Sequence, residues 1–338
     1  MYLESIICLV QVTSSAPARL DLAGGTIDIW PLYLFHDGAS TLNAAIDLRA
    51  HVTITDRTDG CVELISIDTN CRVQATHWSQ LARSGEVPLL VACARHYHLD
   101  RATLTTRGEA PAGAGIAGSS ALAIALCGAL ARWSHQSSDA EDLLRLAQNL
   151  ECQVLRVPAG VQDYRPALYG GIAAIELGAD GIRRSMIDVD AAELERRIVL
   201  AYTHAPRNSG TNNWEIIKRH LDGDRQVFDC FERIRDTAAA MRIALERADW
   251  DEVGRQISNE WANRQRLAPG VTTPMIDALI GRALKAGATA AKVCGAGGGG
   301  CVFCYGPPAA RPAICDALTS GGARVLDYRI EMKGLDVG

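Results

Sequence analysis

The chain lacks the features that would place it on a nucleic acid or in a membrane. Its formal net charge is −5 and its basic residues form no long run, so its overall field does not attract nucleic acid or an anionic surface. The most apolar stretch, residues 121–131, is too short to span a bilayer, and Glu4 stands where a secretory signal needs basic residues. We therefore predict a cytoplasmic protein that holds any anionic ligand locally.

A disulfide framework and a zinc or redox motif are also missing. The 11 cysteines are scattered through apolar segments, which is typical of reduced core residues. Cys301 and Cys304 have CxxC spacing, but no second ligand pair accompanies them, and residues i and i+3 of a strand point to opposite faces. The chain has 338 residues, 48% of them hydrophobic and 22% charged, which suits a globular protein with two ordinary cores.

Periodicity predicts strands at both ends of the chain and helices between them. Residues 5–12 and 46–54 read as strands, the second with clean alternation of apolar and polar residues. Residues 119–133 and 140–156 read as helices, the first buried on most sides. The later elements are a strand at 197–203, helices at 212–221, 228–248, 250–265 and 273–286, and a closing strand pair that ends at 325–330. This order predicts an α+β fold with a boundary near 175–185.

A glycine-rich loop leads into the first of these helices. Its small residues let backbone N–H groups approach phosphate oxygens, and the helix N-terminus adds donors and partial positive charge. The segment therefore predicts a phosphate-binding site. Its members are Pro111, Gly113, Ala114, Gly115, Ile116, Ala117, Gly118, Ser119 and Ser120.

The glycine-rich loop has two other interpretations besides a phosphate-binding site. Residues 113–118 also spell GxGxxG, and Asp139 lies about 20 positions further on, as in a dinucleotide-binding unit. Such a unit needs a strand between its helix and its acid, whereas Asp139 lies between two predicted helices. The other alternative is a loop that is rich in glycine only for tight packing.

A second candidate site lies in residues 16–28. On a strand, Arg19 and Asp21 share one face while Leu20 and Leu22 face the core, and the following glycines turn the chain so that Asp28 comes near. A surface salt bridge beside a turn explains Arg19 and Asp21 equally well.

The third candidate is the carboxylate pair Glu151 and Asp163. Glu151 lies within the apolar stripe of the helix at 140–156, so it should be buried and should have a cation or strong donors beside it. A metal ion fits this role, and an ion pair with an arginine is the alternative. Asp163 lies in an irregular stretch, where side chains are often functional.

The fourth candidate is the glycine run at 295–300. Glycine costs backbone entropy and buries no side chain, so five glycines between two strand-like segments indicate close approach of the backbone to a ligand.

Together these segments resemble the motifs of the GHMP kinase family, which includes galactokinase, homoserine kinase and mevalonate kinase, in the family's order and spacing from Ala16 to Cys301. The likeness is greatest to the D-glycero-D-manno-heptose 7-phosphate kinases, in Ala23-Gly24-Gly25, residues 43–47, Gly160-x-Gln162-Asp163, Tyr202-Thr203 with Arg207, and residues 295–300.

The resemblance implies a two-lobed α+β fold. An N-terminal ATP-binding lobe like ribosomal protein S5 domain 2 would cover 1–180, and a C-terminal ferredoxin-like lobe would cover 181–338. It implies a kinase that uses ATP and Mg²⁺ to phosphorylate a sugar or sugar phosphate, with no nucleic acid or membrane partner. We allow for a homodimer.

The resemblance also assigns roles to single residues. Asp163 would lie beside the acceptor hydroxyl, with Arg19 between that hydroxyl and the γ-phosphate. The glycine-rich loop would hold the ATP phosphates. The residues implied at the metal are Ser119, Ser120 and Glu151. Those implied at the acceptor are Asp28, Gly25, Thr26, Arg207, Gly297 and Gly298.

Departures from the family pattern affect two expectations, the identity of the acceptor and that of the metal-binding serine. Galactokinases carry Gly-Glu-His-Thr-Asp where this chain has residues 24–28, so galactose is a poor candidate. The usual Gly-Leu-Gly-Ser-Ser reads Gly115-Ile116-Ala117-Gly118-Ser119-Ser120, which leaves the metal-binding serine open. Another small alcohol as acceptor, a decarboxylase and a non-catalytic sugar sensor on the same fold remain alternatives.

Overall fold

A computed structural model of the protein describes residues 10–83, 85–205 and 209–338. Its larger sheet has the order β12-β1-β2-β5-β3-β4, and β6 and β7 extend it through β2. The strands of this sheet are β1 (Gln11–Ala23), β2 (Ser40–Asp56), β3 (Val62–Ser66), β4 (Cys71–Ala75), β5 (Ala102–Gly108), β6 (Ile172–Gly178), β7 (Gly181–Met186) and β12 (Asp336–Val337). The predicted strand at 46–54 lies within β2 and is confirmed, whereas most of the one at 5–12 falls outside the described residues.

Helices cover one face of this sheet. They are α1 (Pro88–His96), α2 (Gly118–Trp133), α3 (Ala140–Leu155) and α4 (Tyr164–Tyr169). Helix α2 is buried along most of its length, as its alanine- and leucine-rich sequence predicts. Asp139 caps α3, where its side chain accepts a hydrogen bond from the Asp142 N–H at 2.7 Å. No strand separates α2 from α3 in this described stretch, so the dinucleotide-binding alternative is wrong.

The smaller sheet is antiparallel and has the order β11-β8-β10-β9. Its strands are β8 (Ile198–Tyr202), β9 (Ala290–Val293), β10 (Cys301–Tyr305) and β11 (Arg324–Leu326). When these four strands are numbered 1 to 4 along the chain, their order across the sheet is 4-1-3-2, which is the ferredoxin-like arrangement expected for this lobe. The helices of this part are α5 (Ala191–Arg197), α6 (Ser209–Leu221), α7 (Arg225–Glu246), α8 (Trp250–Arg264), α9 (Pro274–Lys285) and α10 (Arg311–Ser320).

A shared hydrophobic core joins the two parts. It contains Leu20 from β1, Ile116 from the glycine-rich loop, and Leu200 and Phe303 from the smaller sheet. Strand β7 pairs with β6, so the predicted division at 180/181 falls at the turn of a hairpin in the larger sheet, and it stays a proposal. None of the described helices is long and apolar enough to cross a membrane.

Candidate active site

A cavity of about 500 Å³ lies where the two parts meet. Its walls come from β1 and the loop that follows it, from the glycine-rich loop, from α3 with the start of α4, and from the beginning of the 295–300 run. Of the predicted site residues, those that line it are Arg19, Thr26, Asp28, Pro111, Gly113, Ala114, Gly115, Ala117, Gly118, Ser119, Ser120, Glu151 and Asp163. Segments more than 100 residues apart in the sequence therefore meet at one cavity.

Arg19 and Asp163 form an ion pair in the wall of this cavity. Arg19 is 1% exposed, and its Nη2 and Nε donate to Asp163 Oδ1 at 2.5 and 3.1 Å. Its Nη1 donates to the Gly115 carbonyl oxygen at 3.1 Å. Burial alone would lower the pKa of Arg19, but Asp163 and Asp21 raise it above its ordinary value, so the guanidinium stays charged. The pair thus connects the predicted catalytic carboxylate to the predicted phosphate loop.

The phosphate loop is fixed by backbone hydrogen bonds on both sides. The Arg19 N–H donates to the Ile116 carbonyl at 2.9 Å, and the Cys301 N–H donates to the Ala114 carbonyl at 2.7 Å. The loop enters α2 through Ala117, whose side chain supplies no cap, so the first N–H groups of the helix keep their hydrogen-bonding capacity. The Ile116 side chain is fully buried in the shared core, and this residue adds only its backbone to the loop.

Glu151 is buried beside hydroxyl groups. It is 3% exposed, and its Oε2 accepts hydrogen bonds from Ser120 Oγ at 2.9 Å and Tyr164 Oη at 2.6 Å. Burial raises the pKa of Glu151, and the hydroxyls of Ser119, Tyr164 and Ser120 oppose that rise. These donors, rather than an arginine among the described residues, accompany the carboxylate.

The donor set at Glu151 suits a magnesium ion. The described residues contain no group of three or more His, Cys, Asp or Glu side chains that could hold a metal ion by themselves. Mg²⁺ in nucleotide sites takes one or two carboxylates and completes its shell with phosphates and water. One buried carboxylate with two serine hydroxyls, beside a phosphate loop, fits that pattern.

Asp28 is buried with one oxygen free. Its Oδ2 accepts from the Gln162 N–H at 2.9 Å, whereas its Oδ1 has no hydrogen-bond partner among the described residues. Burial first, and then the charge of Asp163, raises the pKa of Asp28 to about 7. Gly160 lies against the carboxyl group so closely that a Cβ there would clash with it. Asp28 therefore has one buried carboxyl oxygen without a hydrogen-bond partner among the described residues, next to the cavity that the residue lines.

The remaining predicted acceptor residues are not all at the cavity. Thr26 lines it. The Asp21 carboxylate and the Arg264 guanidinium lie directly over Gly25. Gly297 and Gly298 lie against Val271, where the Gly298 N–H donates to the Val271 carbonyl at 2.9 Å. Arg207 lies outside the described residues. From the 295–300 run, the cavity wall receives Gly295 and Ala296 instead.

Sequence reasoning missed a buried ion network beneath the cavity. Lys292 Nζ lies 3.4 Å from Asp21 Oδ1 and 3.5 Å from Glu260 Oε1. Arg264 Nη1 lies 3.3 Å from Asp21 Oδ2 and 3.7 Å from Glu260 Oε1, and all four residues are at most 3% exposed. Burial alone would raise the pKa of Asp21, but Lys292, Arg264 and Arg19 hold it below its ordinary value. The surface salt bridge considered for Arg19 and Asp21 is therefore wrong, since each is buried with other partners.

Comparison with known proteins matches two domain models. The GHMP kinases N terminal domain matches residues 88–171, and the GHMP kinases C terminal model matches residues 241–324. A D-glycero-alpha-D-manno-heptose 7-phosphate kinase from Campylobacter jejuni is 27% identical, and the match covers 96% of this chain and 98% of that protein.

Solved structures of other proteins have the same fold along nearly the whole of this chain. A D-glycero-D-manno-heptose 1-phosphate kinase from Bacteroides thetaiotaomicron has a TM-score of 0.78 and 27% identity, with 97% of this chain and 98% of that chain covered. Lactococcus lactis galactokinase, solved with galactose, has a TM-score of 0.77 at 19% identity, with 96% and 95% covered, and shows the fold alone. With both domain models in order and whole-length relatives, this chain belongs to the GHMP kinases.

Proposed function

We propose that the protein transfers the γ-phosphate of ATP to a hydroxyl of a sugar phosphate of the heptose 7-phosphate kind. The observation that carries this proposal is the Arg19–Asp163 pair, because one guanidinium contacts both the carboxylate and the Gly115 carbonyl of the phosphate loop. An acceptor hydroxyl at Asp163 and a γ-phosphate at the loop would meet beside that guanidinium.

The roles of this pair follow from its geometry. Both hydrogen bonds from Arg19 end on Asp163 Oδ1, so Oδ2 is the oxygen offered to the acceptor hydroxyl. Asp163 would orient that hydroxyl and take up its proton or polarise it, as the hydroxyl oxygen bonds to the γ-phosphorus and the bond from that phosphorus to the leaving ADP breaks. Arg19 would stabilise the negative charge that builds on the transferring phosphoryl group. The side chain of Asp163 is 28% exposed, which leaves it accessible to the acceptor.

The phosphate loop and Glu151 would hold the nucleotide end. Backbone N–H groups at the start of α2 would donate to the phosphates, and Glu151 with Ser119 or Ser120 would hold Mg²⁺. The ion would supply charge neutralisation of the β- and γ-phosphates. The three hydroxyl donors at Glu151 would keep its carboxylate in place for this role.

The acceptor end would be built from Asp28 and its neighbours. The free Oδ1 of Asp28 and the Thr26 side chain would take sugar hydroxyls. Gly295 and Ala296, rather than Gly297 and Gly298, would shape this end of the site. Arg207 would bind an anionic group of the acceptor. A heptose phosphate is proposed as this acceptor because two relatives that match at full length are heptose phosphate kinases by name.

A panel of sugars and sugar phosphates tests the proposal. Purified protein with ATP and Mg²⁺ should release ADP with a heptose phosphate faster than with hexoses, hexose phosphates, nucleosides or mevalonate, and mass spectrometry of the product should show one added phosphate. Excess chelator should abolish the reaction. ADP release accompanied by carbon dioxide would indicate a decarboxylase, and sugar binding without ADP release would indicate a sensor.

Two further proposals concern the setting of the enzyme. A reducing cytoplasm suits the cysteines of the described residues, none of which forms a disulfide. A homodimer stays a prediction, which light scattering of the purified protein would check.

A further inference from the structure

Three segments of the proposed acceptor end meet at the side chain of Arg264. Its Nη1 reaches Asp21 Oδ2 on β1 at 3.3 Å, and its Nη2 donates to the Gly295 carbonyl oxygen. Gly25 covers this contact so closely that a Cβ there would clash with both Arg264 Nη1 and Asp21 Oδ2. We call Arg264, Asp21, Gly25 and Gly295 the Arg264 junction.

The junction connects the two parts of the molecule at the cavity wall. Arg264 is the last residue of α8 and is 3% exposed, yet it lines the cavity together with Gly295. Asp21 lies two residues after Arg19 on β1, and its charge contributes to the raised pKa of Arg19. A displacement of the guanidinium would therefore move the acceptor wall and disturb the strand that carries Arg19.

Only an arginine can make both contacts at once. A guanidinium presents several N–H donors in a rigid planar fork, so one group can bind a carboxylate and a carbonyl in different directions. A lysine ammonium keeps the charge but is a single point, and from the end of α8 it can stay close to Asp21 or to Gly295. A lysine at position 264 would thus keep the positive charge but lose one of the two contacts, so its effect reports on the geometry of the junction and not on its charge.

We propose that Arg264 is a positioning residue of the acceptor end, which holds the Gly25 and Gly295 segments in register so that the acceptor lies in line with Asp163. The proposal rests on the proposed kinase function. Since small misplacements of bound groups lower rates and affinities strongly, the expected effect falls on the acceptor and not on ATP.

Arg264→Lys tests the junction, with Arg219→Lys as its matched control. Arg219 also joins a carboxylate to a carbonyl, with Nη2 2.5 Å from Asp224 Oδ2 and Nη1 2.8 Å from the Leu267 oxygen, but it does not line the cavity. We expect Arg264→Lys to raise the KM of the acceptor about tenfold, while the KM of ATP stays within about twofold. Arg219→Lys should leave both KM values unchanged.

Gly25→Ala gives an independent approach to the same contact. Its added methyl group displaces the guanidinium without removing it, so it should reproduce the selective rise in acceptor KM. Wild-type acceptor KM in both Arg264→Lys and Gly25→Ala, or an equal rise in the KM of ATP, would overturn the proposal. A fall in melting temperature with unchanged KM values would reduce Arg264 to a structural residue and would also overturn it.

Hydrogen exchange separates this inference from the proposed function. Amide exchange of residues 22–30 and 292–300 should speed up together, roughly tenfold, in Arg264→Lys and not in Arg219→Lys. If the wild-type protein phosphorylates no sugar, the proposed function fails, whereas the junction still stands or falls on this exchange. Unchanged exchange in both segments would refute the junction even in an active enzyme.

Discussion

Asp21 and Asp28 are seven residues apart in the sequence and both are buried, but their surroundings are opposite. Asp21 has a cation at each oxygen, Lys292 at Oδ1 and Arg264 at Oδ2, and its pKa is lowered. Asp28 has one backbone N–H at Oδ2 and no partner at Oδ1 among the described residues, and its pKa is raised to about 7. A fully paired buried carboxylate stabilises the fold, whereas a partly satisfied one at a cavity wall is available to a ligand.

Asp163→Asn is the strongest test on the ligand side of this comparison. The asparagine keeps the size of the side chain but loses the charge that faces the acceptor hydroxyl, so kcat should fall about a hundredfold or more. Nucleotide affinity, measured by calorimetry on the same sample, should change little. A stable variant with full turnover would remove Asp163 from the chemistry, and a destabilised one with normal activity per folded molecule would make it structural.

Asp21→Asn tests the structural side. It leaves Lys292 and Arg264 buried with Glu260 as their remaining carboxylate, so the free energy of unfolding should fall by about 3–5 kcal/mol in urea titrations. Asp59→Asn is the control, since its ion pair with Arg57 is exposed to solvent and should change the free energy of unfolding far less than Asp21→Asn does. If Asp21→Asn were as stable as wild type and yet inactive, the distinction between the two aspartates would fail.

Asp28→Asn sharpens the comparison through pH. Since the pKa of Asp28 rises from an ordinary 3.8 to about 7, the folded protein binds one proton more than the unfolded chain between these values. The contribution of Asp28 to stability is therefore largest below pH 4 and is lost as the pH rises through 7. The free energy of unfolding of wild type should fall by about 2–3 kcal/mol more than that of Asp28→Asn between pH 5 and pH 8. Parallel curves would contradict the raised pKa.

The two serines give the smallest expected difference. Ser120 is buried and bonded to Glu151, so Ser120→Ala should cost about 1.5 kcal/mol of stability. Ser119 is exposed at the cavity, so Ser119→Ala should keep wild-type stability and weaken Mg²⁺-dependent ATP binding severalfold. Equal effects of both substitutions on stability and binding would mean that burial does not separate their roles.

The long periodic elements were predictable from the sequence. Helices α2 and α3 have sustained patterns, and each was predicted within one residue of its observed bounds. The predicted strand at 46–54 covers only the second half of β2, which begins at Ser40. The hairpin of β3 and β4 and helix α1 were missed, since five-residue strands and a nine-residue helix carry too little periodicity.

The site was predictable only in part. The phosphate loop and the buried Glu151 follow from composition and spacing, whereas the roles of Arg19 and Asp163 came from the family resemblance. No sequence pattern marks Arg264 as a site residue, because Glu260 and Arg264 are four residues apart and look like an ordinary ion pair on an exposed helix surface. Its partner Asp21 lies 243 residues away in the sequence, a distance that no local pattern spans.

The anchoring of the phosphate loop has a consequence for the thermodynamics of nucleotide binding. Backbone hydrogen bonds from Arg19 on one side and Cys301 on the other hold the loop before any ligand arrives. A flexible loop would lose conformational entropy on closing around phosphates, at a cost of about 1–2 kcal/mol for each residue that becomes fixed. Here folding has already ordered the loop, so binding of the triphosphate keeps more of its contact energy as affinity.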